Sequence, residues 1–187
     1  MKTYERELEL GFEVSAAKAI KTITRENLTI IWQSTIHQTW LEEGEVGDYK
    51  FRTRIRKTEV SYPDAIGSQA GKCEFTTKYS KNDEQVAVQD NMELNAEITP
   101  EEYEKLKRIY GVAGKEEVVK IRTFLRDLLR EPLNASAIYT LDTYPNEEGD
   151  RARIEIEFPC KEEMERWKAP AWLKELIGNK GEEKAGK

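Results

Sequence analysis

Alternating charge along three segments constrains the fold of this chain more than any other feature. Alternate side chains of an extended strand share a face. The first segment therefore places Glu5, Glu7 and Glu9 on one face, whereas Leu8 and Leu10 point the opposite way. Neighbouring carboxylates on such a face lie about 7 Å apart and repel one another unless water, a basic group or a cation lies between them.

Two further segments repeat this alternation. Near the far end of the chain, Glu155 and Glu157 share one face of a strand, and the apolar residues between and beside them share the opposite face. Between the two acidic segments lies a basic one, in which three arginines share a face: Arg52, Arg54 and Arg56. Acidic and basic rows on separate strands indicate that the strands close around a shared polar interior.

The rest of the sequence predicts about eight strands, mostly antiparallel, with a few helices between and after them. The segment 41–48, with two glycines and several acids, is predicted to be a loop. Regularly spaced strands with polar faces favour a barrel. The expected fold is therefore α+β, an eight-stranded antiparallel β-barrel with flanking helices, in one domain over residues 1–178 and a disordered charged tail at 179–187.

Composition excludes several classes of protein. A net charge of −6 over 187 residues argues against general nucleic-acid binding. No apolar run approaches the roughly 20 residues that span a bilayer, and no signal-peptide core precedes the first strand. Cys73 and Cys160 are predicted to be free thiols, and His37, the only histidine, is predicted to be a half-exposed strand residue. We expect a soluble cytoplasmic protein.

The short motifs follow one another in a defined order over residues 4–177. The acidic first strand is followed by Gln38-Thr39-Trp40-Leu41, the arginine row, Phe75-Thr76-Thr77-Lys78, an acidic strand before Thr99-Pro100-Glu101-Glu102, Lys120-x-Arg122, Asp142, Glu155-x-Glu157 and Pro170-x-Trp172. This order resembles that of the CYTH superfamily of triphosphate tunnel enzymes, which includes thiamine, inorganic and RNA triphosphatases and class IV adenylate cyclases.

The resemblance implies a tunnel that binds a triphosphate-containing small molecule and hydrolyses it with Mg²⁺ or Mn²⁺, in a monomer or homodimer. Basic side chains would hold the phosphate oxygens: Arg52, Arg54, Arg56, Lys78, Lys120 and Arg122. Glutamates would hold the metal: Glu5, Glu7, Glu93, Glu155 and Glu157. The chemistry agrees, because hard divalent cations prefer oxygen ligands and phosphoryl transfer needs mainly charge neutralisation and alignment.

The first strand departs from the signature of this family, which is Glu-x-Glu-x-Lys. In one register Glu9 stands at the lysine position and becomes the candidate general base; in the other, Gly11 stands there. The departure bears on hydrolysis more than on binding. Three functions therefore stay open: a metal-dependent triphosphatase, a module that captures a phosphorylated small molecule or nucleotide without cleaving it, and a structural or interaction protein whose charged strands face solvent.

Overall fold

A computed structural model describes residues 2–62, 71–81, 89–111, 114, 116–127 and 138–178 of the chain. Over these residues the elements are β1 (Lys2–Val14), α1 (Ala16–Arg25), β2 (Thr29–Val46), β3 (Tyr49–Tyr62), β4 (Lys72–Lys81), β5 (Gln89–Ile98), α2 (Pro100–Gly111), β6 (Glu117–Arg126), β7 (Ile138–Thr143), β8 (Ala152–Phe158), α3 (Lys161–Arg166) and α4 (Ala171–Ile177). The described helices lie between and after the strands, as the sequence predicted.

The eight strands form one closed antiparallel barrel in the order β1-β5-β4-β3-β2-β6-β7-β8. The barrel closes where β8 returns to β1, with a register that runs from Leu8 opposite Phe158 to Val14 opposite Ala152. Every described strand thus has two hydrogen-bonded neighbours. The predicted α+β barrel with flanking helices is confirmed.

The predicted loop at 41–48 is wrong for most of its length, because β2 continues through these residues to Val46. The continuation pairs with β3 as far as Val46 opposite Tyr49, which leaves a two-residue turn. Gly47 in this turn has a φ of 59°, a left-handed conformation that glycine adopts without steric cost. Gly47, one of the two glycines that suggested a loop, therefore lies in the tight turn of a β-hairpin.

The apolar faces of the strands lie on the outside of the barrel, beneath the helices. The larger core cluster joins outward residues of β1, β7 and β8, such as Leu10 and Ile156, to Trp172 and Leu173 of α4. A smaller cluster packs Ile55 and other outward residues of β2–β4 against α2. Because the helices cover the apolar side of the sheet, the alternating polar residues fill the interior.

Two smaller predictions can be checked directly. Cys73 and Cys160 are both free thiols, as predicted. Within the described ranges, we find no helix with the length and apolar character required to cross a bilayer. The predicted tail at 179–187 lies outside the described residues.

Candidate functional site

The barrel interior holds a cavity of about 580 Å³. It lies in the half of the barrel where β1 and β7 end and where β3 and β8 begin. Its described lining carries nine basic and eight acidic side chains. The predicted site residues whose side chains are described all line it: Glu7, Glu9, Arg52, Arg54, Arg56, Lys78, Glu93, Lys120, Arg122, Glu155 and Glu157. The side chain of Glu5 lies outside the described part of the structure.

The charges in the cavity are sorted by strand. The adjacent strands β8, β1 and β5 carry most of the carboxylates, and we call this side the acidic wall. The adjacent strands β3, β2 and β6 carry the arginine row, Lys120 and Arg122, and we call this side the basic wall. The two strands between the walls each place one opposite charge at the border: Lys78 on β4 and Asp142 on β7.

Lys78 neutralises part of the acidic wall. Its Nζ lies 3.1 Å from Glu7, 3.0 Å from Glu9 and 3.5 Å from Glu93. Burial lowers the pKa of Lys78, but the charges of Glu9, Glu7 and Glu93 outweigh burial and raise it overall. The Nδ2 of the buried Asn91 donates to the same Glu9 oxygen at 3.1 Å. The lysine that was expected to hold phosphate therefore lies among carboxylates.

Asp142 holds the basic wall together from the opposite border. Only 1% of this residue is exposed. Its carboxylate accepts a hydrogen bond of 2.6 Å from Lys120 and two of 2.7 Å from Arg122. Burial opposes ionisation, but the hydrogen bonds and charge of Arg122 hold the pKa of Asp142 well below its ordinary value. Burial and the charge of Arg122 lower the pKa of Lys120 to about 8 despite Asp142.

Arg56 is a cation of the basic wall for which the described residues provide no ion pair, although the charges of Glu93 and Glu74 act on it from a distance. Among the described residues no carboxylate forms an ion pair with it, and its Nε has no hydrogen-bond partner. Burial and the charges of Arg54 and Arg122 lower the pKa of Arg56 to about 9. By contrast, Arg54 lies 3.3 Å from Glu93. Since a buried charge is costly unless it is paired, the position of Arg56 is complementary to an anion.

The acidic wall carries more negative charge than Lys78 can neutralise. Glu9 and Glu157 are direct partners in the β1–β8 pairing, and within the described residues Glu157 has no ion pair. Burial raises the pKa of Glu157, and the charges of Glu155 and Glu9 add to this effect. Burial also raises the pKa of Glu7 to about 7, with Lys78 opposing and Glu93 adding. A further cation would relieve this repulsion.

The donor set of this wall fits a hard divalent cation, because its oxygens are carboxylates. In the described part of the chain, however, no three acidic, histidine or cysteine side chains are arranged to hold a metal ion by themselves. Mg²⁺ typically takes only one or two carboxylates together with substrate phosphates. The carboxylates therefore fit a metal that shares its coordination with a bound phosphate.

The raised pKa of Glu7 makes a prediction for the metal-free protein. A carboxyl group with a pKa near 7 in the fold and near 4.5 when unfolded binds its proton more tightly in the fold. Its stabilising contribution is full below pH 4.5 and is lost as the pH rises through 7. We expect Glu7→Gln to reduce the fall in melting temperature of the EDTA-treated protein between pH 5 and 8. An unchanged slope would contradict the assignment, and Glu101→Gln on α2 is the exposed control.

Several residues that line the cavity were not predicted from the sequence. The clearest is Arg153, whose Nε donates to Glu155 at 2.8 Å. The alternation Arg153-x-Glu155-x-Glu157 carries the signal that it shares their face. Gln38 and Trp40 of β2 also line the cavity, and the Trp40 ring lies 5.7 Å from the guanidinium carbon of Arg54.

His37 and Trp172 lie outside the cavity. His37 Nδ1 lies 3.4 Å from Glu117, beneath α2, and its side chain is 30% exposed, in line with the predicted half-exposed strand histidine. Trp172 is buried and donates to Asp127 at 3.1 Å. Both residues support the fold from outside the barrel.

Comparison with known proteins gives similarity in structure only. No protein-family model matches the chain, and no curated protein sequence matches it. Solved structures similar to it include protein PH1012 of Pyrococcus horikoshii (15% identity, TM-score 0.49, 97% of this chain and 91% of that one). A second is a putative adenylyl cyclase of Hippeastrum with a dominant triphosphatase activity (17% identity, TM-score 0.49, 83% of this chain and 81% of that one). A third is the inorganic triphosphatase NE1496 (15% identity, TM-score 0.40, 88% of this chain and 84% of that one).

The proposed function rests on the cavity residues rather than on these similarities. The closed eight-stranded antiparallel barrel, its flanking helices and its interior lined with both signs of charge are features of the described chain itself. In fold, the chain is a closed eight-stranded antiparallel β-barrel with flanking helices and a charged interior.

Proposed function

We propose that the chain binds the triphosphate group of a small molecule in the barrel cavity and hydrolyses it with the help of a divalent metal ion. The observation that carries this proposal is Arg56, a cation without an ion pair among the described residues, which lines the same cavity as an under-neutralised acidic wall. A polyphosphate satisfies both conditions. Its oxygens pair with the basic wall and also supply the metal ligands that the carboxylates lack.

In this proposal the basic wall binds the substrate. Arg54 and Arg56 offer guanidinium donors, which suit phosphate oxygens because they can form two parallel hydrogen bonds. Lys120 and Arg122 add charge from β6 and are held in place by Asp142. Arg52, with a side chain 64% exposed, lies at the cavity entrance and contributes least. Alignment and charge neutralisation by these residues provide much of what phosphoryl transfer requires.

Hydrolysis also needs a base. The oxygen of a water molecule must bond to the terminal phosphorus while the bond to the bridging oxygen breaks, and the water gives up a proton. We propose Glu9 as the acceptor of that proton. Its Oε1 accepts hydrogen bonds from Lys78 and Asn91, which fix the carboxylate, while no hydrogen bond to Oε2 is found among the described residues.

The metal would lie on the acidic wall. Glu7 and Glu157 are the residues best placed to hold it, because burial raises the pKa of both and neither is fully neutralised. Glu5, Glu93 and Glu155 complete the proposed set, although Glu155 is already paired with Arg122 at 2.6 Å. When bound, Mg²⁺ or Mn²⁺ would supply charge neutralisation at the phosphate oxygens.

The test begins with thermal melting in the presence of inorganic triphosphate or ATP, each with and without Mn²⁺. A ligand at about 100 times its dissociation constant adds roughly 2.7 kcal/mol to the free energy of unfolding. Phosphate release from inorganic, nucleoside and thiamine triphosphates is then measured. We expect Glu157→Gln to lower release by roughly 100-fold or more, as loss of a group acting in the transition state does, and to keep the stabilisation by triphosphate. Glu59→Gln, on an exposed part of β3, is the matched control.

Two outcomes would contradict hydrolysis in different ways. Stabilisation by triphosphate without phosphate release would identify a module that captures the ligand. That outcome is favoured by the missing lysine of the first strand and by the position of Lys78 among carboxylates. If triphosphate neither stabilises the protein nor is cleaved, the charged strands have only a structural role. The preferred metal, the cytoplasmic location and the assembly as monomer or homodimer stay predictions.

A further inference from the structure

The inner face of β1 has a gap among its carboxylates. Glu7, Glu9 and Glu13 line the cavity, and Gly11 lies between the last two on the same face. Gly11 is not among the glycines with positive φ, so its backbone conformation does not require glycine. The space does. A Cβ added at Gly11 would lie 2.8 Å from Cζ of Arg153 and still closer to its Nη2.

The guanidinium of Arg153 therefore lies over the backbone of Gly11. Its Nε donates to Glu155 at 2.8 Å, and its Nη1 lies 3.6 Å from Glu13. Its Nη2 makes no hydrogen bond to any described residue. The side chain is 28% exposed and lines the cavity. One edge of this guanidinium is thus tied to the wall, while donors on its other edge are available.

The position of Arg153 differs from that of the other proposed phosphate-binding residues. It lies on β8, in the acidic wall, and β8 is four strands from β3 in the closed barrel. Arg54 and Arg56 lie on β3. An anion between these strands would be contacted by guanidinium groups from two sides of the cavity, which fixes its position better than one basic wall alone.

We propose that Arg153 is a phosphate-binding residue of this cavity, and that the absence of a side chain at Gly11 is what gives its guanidinium room to reach the ligand. The proposal rests on the proposed triphosphate binding, and it adds a contact from the acidic wall. It also explains how a first strand without a lysine can belong to a tunnel that binds phosphate: the cation comes from the neighbouring strand.

The test measures the dissociation constant of inorganic triphosphate by calorimetry with purified variants of the 187-residue chain. We expect Arg153→Ala to weaken binding by roughly tenfold or more, the loss of one charge-assisted contact. Gly11→Ala, which keeps every charge but occupies the space of the guanidinium, should weaken it by a similar factor. Adding Gly11→Lys to Arg153→Ala should recover most of the loss, because it returns a cation to the same place from β1.

Controls separate this proposal from the function on which it rests. Arg25→Ala removes an arginine that is also paired with carboxylates but lies on α1, outside the barrel, and should leave the dissociation constant unchanged. Melting curves confirm that each variant is folded; if Arg153→Ala is not, Arg153→Gln, which also removes the charge, replaces it with the same expected loss. If the wild-type protein binds no triphosphate, the proposed function fails. If it binds and both Arg153→Ala and Gly11→Ala bind equally well, only the role of Arg153 is overturned.

Discussion

Replacement of Arg56 by alanine is expected to weaken triphosphate binding and turnover by roughly 100-fold, because two charge-assisted hydrogen bonds are lost. The same replacement is expected to raise the melting temperature of the ligand-free protein. The two effects have one cause. Arg56 has no ion pair among the described residues, and burial together with Arg54 and Arg122 lowers its pKa to about 9. The fold therefore disfavours its charged form at neutral pH. Alanine removes that cost and, with it, the contact that the ligand needs.

Calorimetry with inorganic triphosphate and melting curves without ligand measure the two effects separately. Arg56→Lys is the matched variant, because it keeps the charge but loses the planar pair of donors. We expect it to bind with intermediate affinity and to gain little stability. Arg166→Ala, on the exposed surface of α3, should change neither quantity. An alanine variant that melts several degrees lower and still binds normally would show that Arg56 is a structural residue.

Removal of Asp142 is expected to have the largest effect on stability. Asp142→Ala leaves Lys120 and Arg122 as neighbouring cations inside the barrel, with Glu155 as the remaining ion-pair partner of Arg122 among the described residues. Breaking a buried ion pair from one side typically costs about 3–5 kcal/mol because the partner charge stays buried. Urea unfolding measures this loss directly. Asp48→Ala, at the exposed β2–β3 turn, should stay within about 0.5 kcal/mol of the wild type.

Asp142 also determines how the stability of the fold changes at acidic pH. The pKa of Asp142 lies well below its ordinary value of 3.8, so its contribution to stability is present above that value and is lost as the pH falls below it. We expect the wild-type protein to lose stability steeply below pH 4. Asp142→Ala should start from a lower stability and show a shallower loss. Parallel curves for the two proteins would contradict the role of Asp142.

Much of the barrel could be predicted because its strands alternate with a period of two. That period alone places Glu7 and Glu9 on one face and Leu8 and Leu10 on the other, whichever strands are their neighbours. It also contained the signal for Arg153, which shares the face of Glu155. The hairpin after Val46 was missed because its glycine and acids are equally typical of a longer loop.

The pairing of charges across the cavity could not be predicted from the same pattern. Lys78 reaches the carboxylates of β1 because β4 and β1 both neighbour β5, a relation that depends on the order of strands in the barrel. Asp142 reaches Lys120 and Arg122 because β7 lies beside β6. Which charges in the cavity form ion pairs, and which do not, depends on tertiary structure rather than on any stretch of sequence.

The pairing of β1 with β8 has a consequence for how the protein acquires its cavity during synthesis. Residues 8–14 must wait for residues 152–158 before the acidic wall is complete. At about 5–20 residues per second, the ribosome needs roughly 7 to 30 seconds to make the intervening chain. During that time one edge of β1 has no partner, and the acidic wall lacks Glu155 and Glu157. Translation must therefore pass β8 before the barrel can close and its acidic wall is complete.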